Sequence, residues 1–293
     1  MYKSWNKKKY PKRILAIRLQ AMGDVVITLP YLQDLCNKLP ADVEIDLLTR
    51  KEVDSIPRSL KLFNKIYSIG GKRNFKKQFI STCLLLPVLY LRRYDIVLDL
   101  QDNLLSKMAR KSIMPKAWSV FEKFAPISAG EKNRIAVENI GLAKIDIAYN
   151  FVFKQDLFVE KILKENGWDE KSDLIIINPA GAFETRNWAL EKYAAFMELF
   201  LQKFPQSQFL IIGVELIKSK ADYFKKLFQQ KLINLLNRTT PAQAFAIIQK
   251  VKFVLSEDSG LMHMAWVSGI PTLAFFGSTR SDWSRPLGEK SLL

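Results

Sequence analysis

"RILAIRLQAMGDVVITLPYLQDLCNKL", residues 13–39, passes from an apolar run through a turn into apolar residues at helical spacing. Residues 13–19 read as a strand, Gly23 as a short turn, and residues 25–39 as a helix with Asp24 at or near its start. A strand that turns directly into a helix opens a βαβ unit. The same rhythm continues in "VEIDLLT" (43–49), "KIYSI" (65–69) and "DIVLDL" (95–100). After a less regular middle it restarts with strands "DLIIINP" (173–179), "QFLIIGV" (208–214), "INLL" (233–236), "KFVLSED" (252–258) and "PTLAFFG" (271–277). Helical spacing fills 189–204, 217–230 and 241–250 between them. Two α/β units in tandem, each with a parallel sheet covered by helices, follow from this alternation. The polar stretch "KQDLFVEKILKENGWDEKSD" places the boundary between about 152 and 172, giving domains of 1–160 and 161–293.

The chain has 293 residues, 48% of them hydrophobic, enough to bury the cores of two domains. Cys36 and Cys83 lie far apart in apolar contexts, which predicts buried free thiols in a reducing, cytoplasmic setting. With one histidine and two scattered cysteines, a His/Cys metal cage is not expected. The basic leader "MYKSWNKKKYPKR" precedes an apolar run that Arg18, Gln20 and Asp24 interrupt, so a secretory signal is not expected either. "FISTCLLLPVLYL" (79–91) is the most lipophilic stretch, but it is shorter than the roughly 20 residues of a membrane span and contains Pro87. It reads as a core helix or an interfacial segment.

The net charge of +16 favours polyanionic partners: nucleic acid, phosphorylated sugars or an anionic membrane face. Basic residues cluster at Lys7, Lys8 and Lys9; at Lys72, Arg73, Lys76 and Lys77; at Arg92 and Arg93; and at Lys107, Arg110 and Lys111. None of these clusters has the spacing of a nucleic-acid module, so nucleic acid is not the expected partner.

Ligands of open parallel sheets bind beyond the carboxyl ends of the strands, which makes the residues just after each strand informative. Asp24 there is either a helix cap or a reactive carboxylate. "NPAGAFETRNWALEKY" sets Gly181, Thr185 and Arg186 before a helix, and "LSEDSGLMHMAW" sets Asp258, Ser259 and Gly260 at another helix start. Free backbone N–H groups, a hydroxyl and a guanidinium suit a phosphate or diphosphate. Neither G-x-G-x-x-G nor G-x-x-x-x-G-K-[ST] is present, so the sugar-nucleotide class rests on these junctions alone.

"ILAIRLQAMGDVVITLPYLQDL", "YDIVLDLQDNLLS", "IINPAGAFETRNWALEKYAAF" and "SEDSGLMHMAWVSGIPTLAFFGSTRSDWSRPLG" occur in this order from about residue 13 to the end of the chain. Together they resemble the bacterial heptosyltransferase family, glycosyltransferases that add ADP-activated heptose to the inner core of lipopolysaccharide. The resemblance implies a GT-B architecture: two Rossmann-like α/β domains with parallel sheets facing a central cleft, the acceptor bound mainly by the first and the nucleotide by the second. It further implies inverting transfer with Asp24 of "MGD" as general base, the adjacent Gly23 belonging to the same motif. Arg186 falls where the family carries a basic residue near the phosphates. Ser259, Gly260 and Leu261 match the phosphate-binding helix start, with Asp258 just before them, and Glu215 and Thr239 fall near adenosine contacts. His263 matches the histidine of "DSG-x-x-H" and is expected to steady the phosphate turn by hydrogen bonding or packing, because proton transfer falls to Asp24. No metal or other cofactor is implied, the ADP-sugar being a substrate.

The partners implied are a sugar nucleotide, a lipid-linked anionic oligosaccharide acceptor and the inner-membrane surface, for a cytoplasmic protein peripheral to that membrane. Relatives usually continue past "GEKSLL" into a closing helix, so the second domain is expected to be short of one. The competing reading is a catalytically weak or inactive GT-B carbohydrate- or lipid-binding protein.

Overall fold

In the computed structural model, residues 1–180 and 187–293 are described, and the chain divides into two compact units, Met1–Lys154 and Gln155–Leu293. The handover falls before the helix Val159–Glu165, because backbone bonds hold the chain to the first unit up to Lys154. Lys61 donates to the Val152 carbonyl (2.8 Å), and Lys154 donates to the Ser59 carbonyl (2.7 Å). Within the second unit, Lys250 pairs with Glu160 at 3.0 Å and ties Val159–Glu165 to its neighbours.

The first sheet is built from β1 (Tyr2–Lys3), β2 (Arg13–Ile17), β3 (Glu44–Arg50), β4 (Ile66–Ile69), β5 (Ile96–Asp99) and β6 (Ala117–Val120), in the order β1-β6-β5-β2-β3-β4. All neighbours are parallel except β1, which pairs antiparallel with β6 (Tyr2 opposite Ser119). The second sheet contains β7 (Asp173–Asn178), β8 (Ser207–Gly213), β9 (Leu232–Leu236), β10 (Phe253–Glu257), β11 (Thr272–Phe275) and β12 (Ser291–Leu292). Its order, β12-β11-β10-β7-β8-β9, is parallel throughout. In the second unit the chain starts at the central strand β7, adds β8 and β9 on one side and returns to the other; in the first, after the edge strand β1, β2 plays the same part, with β3 and β4 on one side and β5 and β6 on the other. The reversal opens a crevice beside the carboxyl ends of β2 and β5, and another beside those of β7 and β10.

Burial explains why the strands were legible. Ile14, Leu15, Ala16 and Ile17 of β2 are buried in succession, as are Leu174 to Ile177 of β7, the pattern of strands covered on both faces. The helix Met22–Lys38 closes one face of the first sheet by burying Val25, Val26, Leu29, Leu32 and Leu35. It starts at Met22, so Gly23 sits in its first turn and not in a preceding loop. β1 and β12, two residues each, are too short to announce themselves by periodicity, and β6 ("AWSV") mixes polar and apolar residues without a continuous apolar run.

Two expectations change. Cys36 and Cys83 are free but half-buried, since both lie on helices with one flank near water; partial burial still pushes the Cys36 thiol up. Segment 79–91 is part of the helix Phe75–Leu91, in which Thr82 and Leu89 are the buried residues, so it is not a core helix. Among the described residues no helix is long and apolar enough to cross a membrane.

Part of the positive charge is structural. Asp46, fully buried on β3, accepts from the Lys65 backbone (2.9 Å), the Tyr94 hydroxyl (2.7 Å) and Arg92 Nε (3.3 Å). Arg92 also meets Glu44 Oε2, the same oxygen that Arg13 holds at 2.8 Å. Burial, then the Asp46 charge, pushes the Tyr94 hydroxyl far above its ordinary range, so it remains a donor. Tyr94→Phe removes one donor from a buried carboxylate and is expected to cost about 1–3 kcal/mol. A urea midpoint lowered at unchanged slope checks this; an unshifted midpoint contradicts it.

Candidate active site

In the first unit, Leu19 and Gln20 follow β2, and both donate backbone N–H groups to Gln101 Oε1 beyond β5 (2.8 and 3.1 Å). One amide thus staples the two sides of the crevice. Asp99, fully buried at the end of β5, shapes the same loop by accepting from the backbone of Asp102 (3.1 Å) and from Arg110 Nε (3.4 Å). Burial pushes the Asp99 carboxyl up, and its donors pull the other way. Arg110 also stacks over Trp118 at 4.4 Å, so this cation belongs to the fold and not to a solvated basic face.

Asp24 lies in the first turn of Met22–Lys38, where it caps the helix start. Its Oδ2 accepts from the Ala21 N–H (2.7 Å), satisfying a donor at the helix start, while its Oδ1 faces Arg18 at 2.8 Å. The side chain is nonetheless 39% exposed. Arg18 is buried, bonded to the Leu100 carbonyl and set over the Phe121 ring at 4.9 Å. Burial lowers its pKa, and the Asp24 charge opposes that fall. The result is a carboxylate fixed at both oxygens yet open to solvent on one side.

A cavity of about 530 Å³ opens there, lined by Gln20, Ala21, Met22, Asp24, Arg50, Glu52, Val53, Arg73 and Gln78. Arg50 is held in place by Glu52 (3.1 Å), Gln20 Oε1 (3.2 Å) and the Lys72 carbonyl. A carboxylate beside two guanidinium groups suits a hydroxylated ligand that itself carries negative charge.

In the second unit, Asn178 ends β7 and donates to Ser256 Oγ and Ser259 Oγ, each at 2.8 Å, joining the sides of that crevice as Gln101 does in the first. Ser259 caps the helix Gly260–Val267 by accepting from the Met262 N–H at 3.4 Å. Gly260 and Leu261 occupy its first turn, where backbone donors lack intrahelical partners. Asp258 is buried just before the cap, and its N–H reaches the Phe275 carbonyl (3.1 Å). Glu257 is fully buried and accepts from the Trp188 N–H at 2.7 Å. Gly181, Thr185 and Arg186 lie outside the described residues; on the flanks, Pro179 accepts from Lys220 Nζ at 2.7 Å.

His263 is only 8% exposed, and its Nδ1 accepts from the Trp266 indole N–H at 3.2 Å. The indole can only donate, so this ring nitrogen is unprotonated and the histidine is oriented by packing. Glu215 and Thr239 follow β8 and β9, whose ends are joined by the Asn237 N–H bond to the Gly213 carbonyl (2.9 Å). Glu215 pairs with Asn237 (2.7 Å) and Lys218 (3.1 Å) and lines a second cavity of about 530 Å³ with Asn166, Asn234 and Arg238. Thr239 is not among the residues lining it. Among the described residues no group of His, Cys, Asp and Glu could hold a metal ion.

Sequence reasoning did not single out Arg18, Arg50, Gln101, Asn178 or Glu257. A charge directly after an apolar strand was the available signal for Arg18, and position at or just beyond a strand end was the signal for Gln101 and Asn178.

The sequence model for glycosyltransferase family 9 (heptosyltransferase) matches residues 131–292. The chain is 23% identical over 297 residues to lipopolysaccharide heptosyltransferase 1 of Campylobacter coli, covering 92% of this chain and 85% of that protein. Its fold is similar to that of the glycosyl transferase family 9 protein from Veillonella parvula (TM-score 0.82, 15% identity, 96% of this chain and 85% of the other). It also resembles the Escherichia coli heptosyltransferase WaaC with ADP (TM-score 0.72, 16% identity, 96% and 92%). Two Rossmann-like units with parallel sheets are thus the GT-B fold that the sequence led us to expect.

Because the chain has a single histidine, a long-range ¹H–¹⁵N spectrum tests the second-unit geometry directly. Near neutral pH the ring is expected as the neutral Nε2–H tautomer, with the Nδ1 resonance shifted in Trp266→Phe. An Nδ1–H tautomer in the unaltered protein would contradict the arrangement.

Proposed function

Since the chain belongs to glycosyltransferase family 9, the heptosyltransferases, we propose that it moves a heptose from ADP-heptose to a lipopolysaccharide inner-core acceptor. The observation that carries the reading is the Asp24 carboxylate, held at both oxygens yet exposed to a cavity that also contains Arg50 and Arg73. A non-catalytic binding protein would need the cations but has no use for a positioned carboxylate, so that alternative is not favoured.

In the proposed reaction an acceptor hydroxyl gives its proton to Asp24 as its oxygen attacks the anomeric carbon. The bond from that carbon to the diphosphate breaks on the opposite face, ADP departs with the electron pair, and the configuration inverts. Arg18 and the Ala21 N–H fix the carboxylate, leaving a lone pair for the proton. Arg50 and Arg73 would receive the acceptor's acidic groups. On the donor side, the helix start at Ser259, Gly260 and Leu261, with Arg186, would take the diphosphate, and Asp258 and His263 would hold that turn in shape. Glu215 and Thr239 would lie toward the adenosine, and Gly23, Gly181 and Thr185 would let the two strand-to-helix junctions approach their ligands. Cationic side chains and a helix terminus stabilise the leaving charge in this scheme, so no metal or cofactor takes part. The lipid-linked acceptor would bring a peripheral, cytoplasmic enzyme to the inner-membrane surface.

Asp24→Asn keeps an acceptor for the Ala21 N–H but cannot take the proton, and is expected to lower turnover about a hundredfold or more with ADP affinity nearly unchanged. Near-normal turnover by a folded variant would remove Asp24 as the base. Arg186→Ala is expected to weaken ADP by about 1.5–3 kcal/mol and adenosine much less; equal losses would move Arg186 away from the diphosphate. ADP-heptose should raise the melting temperature more than other sugar nucleotides, and a chelator should leave turnover intact. Loss of turnover on chelation, restored by magnesium, would overturn the metal-free scheme.

A further inference from the structure

The helix Phe75–Leu91 carries an apolar face that nothing in the first unit covers. Its inner side, with Thr82 and Leu89 buried and Leu85 and Leu86 beside them, packs on the core of Leu15, Ile17, Leu48 and Val97. The opposite side presents Ile80, Leu84, Pro87 and Leu91 at helical spacing, with Ile80 57% and Leu84 and Leu91 each 75% exposed. Phe79, Val88 and Tyr90 widen the stripe. At 1.5 Å per residue the helix is about 25 Å long, a continuous apolar ridge and not a scattering of single exposed residues.

Charge identifies what this ridge fits. The segment "FKKQFISTCLLLPVLYL" contains no acidic residue, and cations stand at both of its ends: Lys72, Arg73, Lys76 and Lys77 before or within the first turn, and Arg93 after the last. Arg92 is excluded from this count by its pairs with Glu44 and Asp46. Glu52, which approaches this end of the helix, is turned to Arg50 and to the Lys72 N–H. A helix with an apolar outward stripe and basic ends matches a bilayer interface, where the stripe enters the acyl boundary and the cations remain among anionic headgroups.

The ridge is also continuous with the catalytic pocket. Arg73 and Gln78, at the start of this helix, line the cavity that contains Asp24. We propose that Phe75–Leu91 lies flat on an anionic lipid bilayer and so holds the mouth of the Asp24 cavity at the membrane surface, where the sugar head of a lipid-linked acceptor emerges. The docking site is the Ile80, Leu84, Pro87 and Leu91 stripe with Lys76, Lys77 and Arg93. The proposal rests on a lipid-linked acceptor as the substrate, but the surface itself is tested without donor or acceptor.

Flotation of the full chain with neutral phosphatidylcholine vesicles, and with vesicles containing phosphatidylglycerol, at low and high salt tests it. Binding is expected on the anionic vesicles, weakened by salt. The exposed triple variant Ile80→Asp, Leu84→Asp, Leu91→Asp is expected to lose at least about tenfold in partitioning per side chain, while Lys76→Gln, Lys77→Gln and Arg93→Gln lose about fivefold each. Circular dichroism and the melting temperature confirm that the variants fold. Transfer to a delipidated, soluble acceptor should be unchanged in the Ile80, Leu84 and Leu91 variant, while transfer to acceptor embedded in vesicles falls with binding. Wild-type binding by that variant, or no vesicle binding by the unaltered chain, overturns the proposal. So does a concentration-dependent dimer that the variant abolishes without any lipid binding, which would assign the stripe to a second copy. A chain that binds vesicles through this face yet transfers no heptose would instead sink the functional reading and leave the surface standing.

Discussion

Ile14 to Ile17 and Leu174 to Ile177 are shut off from water on both faces of their sheets, and that burial leaves the strands no place to carry polar chemistry along their length. Polar groups are pushed to the strand ends, where the backbone must also find partners outside the ladder. Gln101 and Asn178 answer the same demand in the two units. Each is an amide at the point where strand order reverses, joining the loop after one central strand to the loop after the other. The loop that carries Asp24 in the first unit and the helix start at Ser259 in the second are both anchored by these amides.

Arg18 shows the tension this creates. Its guanidinium lies between the end of β2, the Leu100 carbonyl and the Phe121 ring, where desolvation works against its charge. Asp24 is what makes the burial tolerable, and the same contact fixes the carboxylate proposed as the base. Removing Asp24 would leave the buried Arg18 charge without its carboxylate partner, so the pair ties stability to the geometry of this pocket.

The residues that announced the architecture are those whose neighbours in space are also neighbours in sequence. A run such as "DLIIIN" declares a buried strand by itself, and "DSG" before an apolar helix declares a cap. The roles of Arg18, Gln101 and Glu257 depend on contacts with residues far away or on another element, which periodicity does not report. The Gln101 bond to Leu19 spans 82 positions, and the Glu257 bond to Trp188 spans 69. Sequence marked 79–91 as lipophilic, but which side met the core depended on Thr82 and Leu89, a polar and an apolar residue that composition does not distinguish from their neighbours. The basic clusters divided in the same way: Arg92 and Arg110 became internal partners of Asp46 and Asp99, and only the remainder faces solvent as a group.

The solitary His263, pinned by Trp266, has a consequence for how the protein meets its surroundings. Histidine is the one side chain whose unperturbed titration falls between pH 5 and 8. With a single copy, histidine protonation adds no more than about one unit to the net charge of +16 across that range. Histidine titration therefore alters the long-range attraction toward anions very little. Ionic strength and the local density of negative charge remain the variables that chiefly govern it.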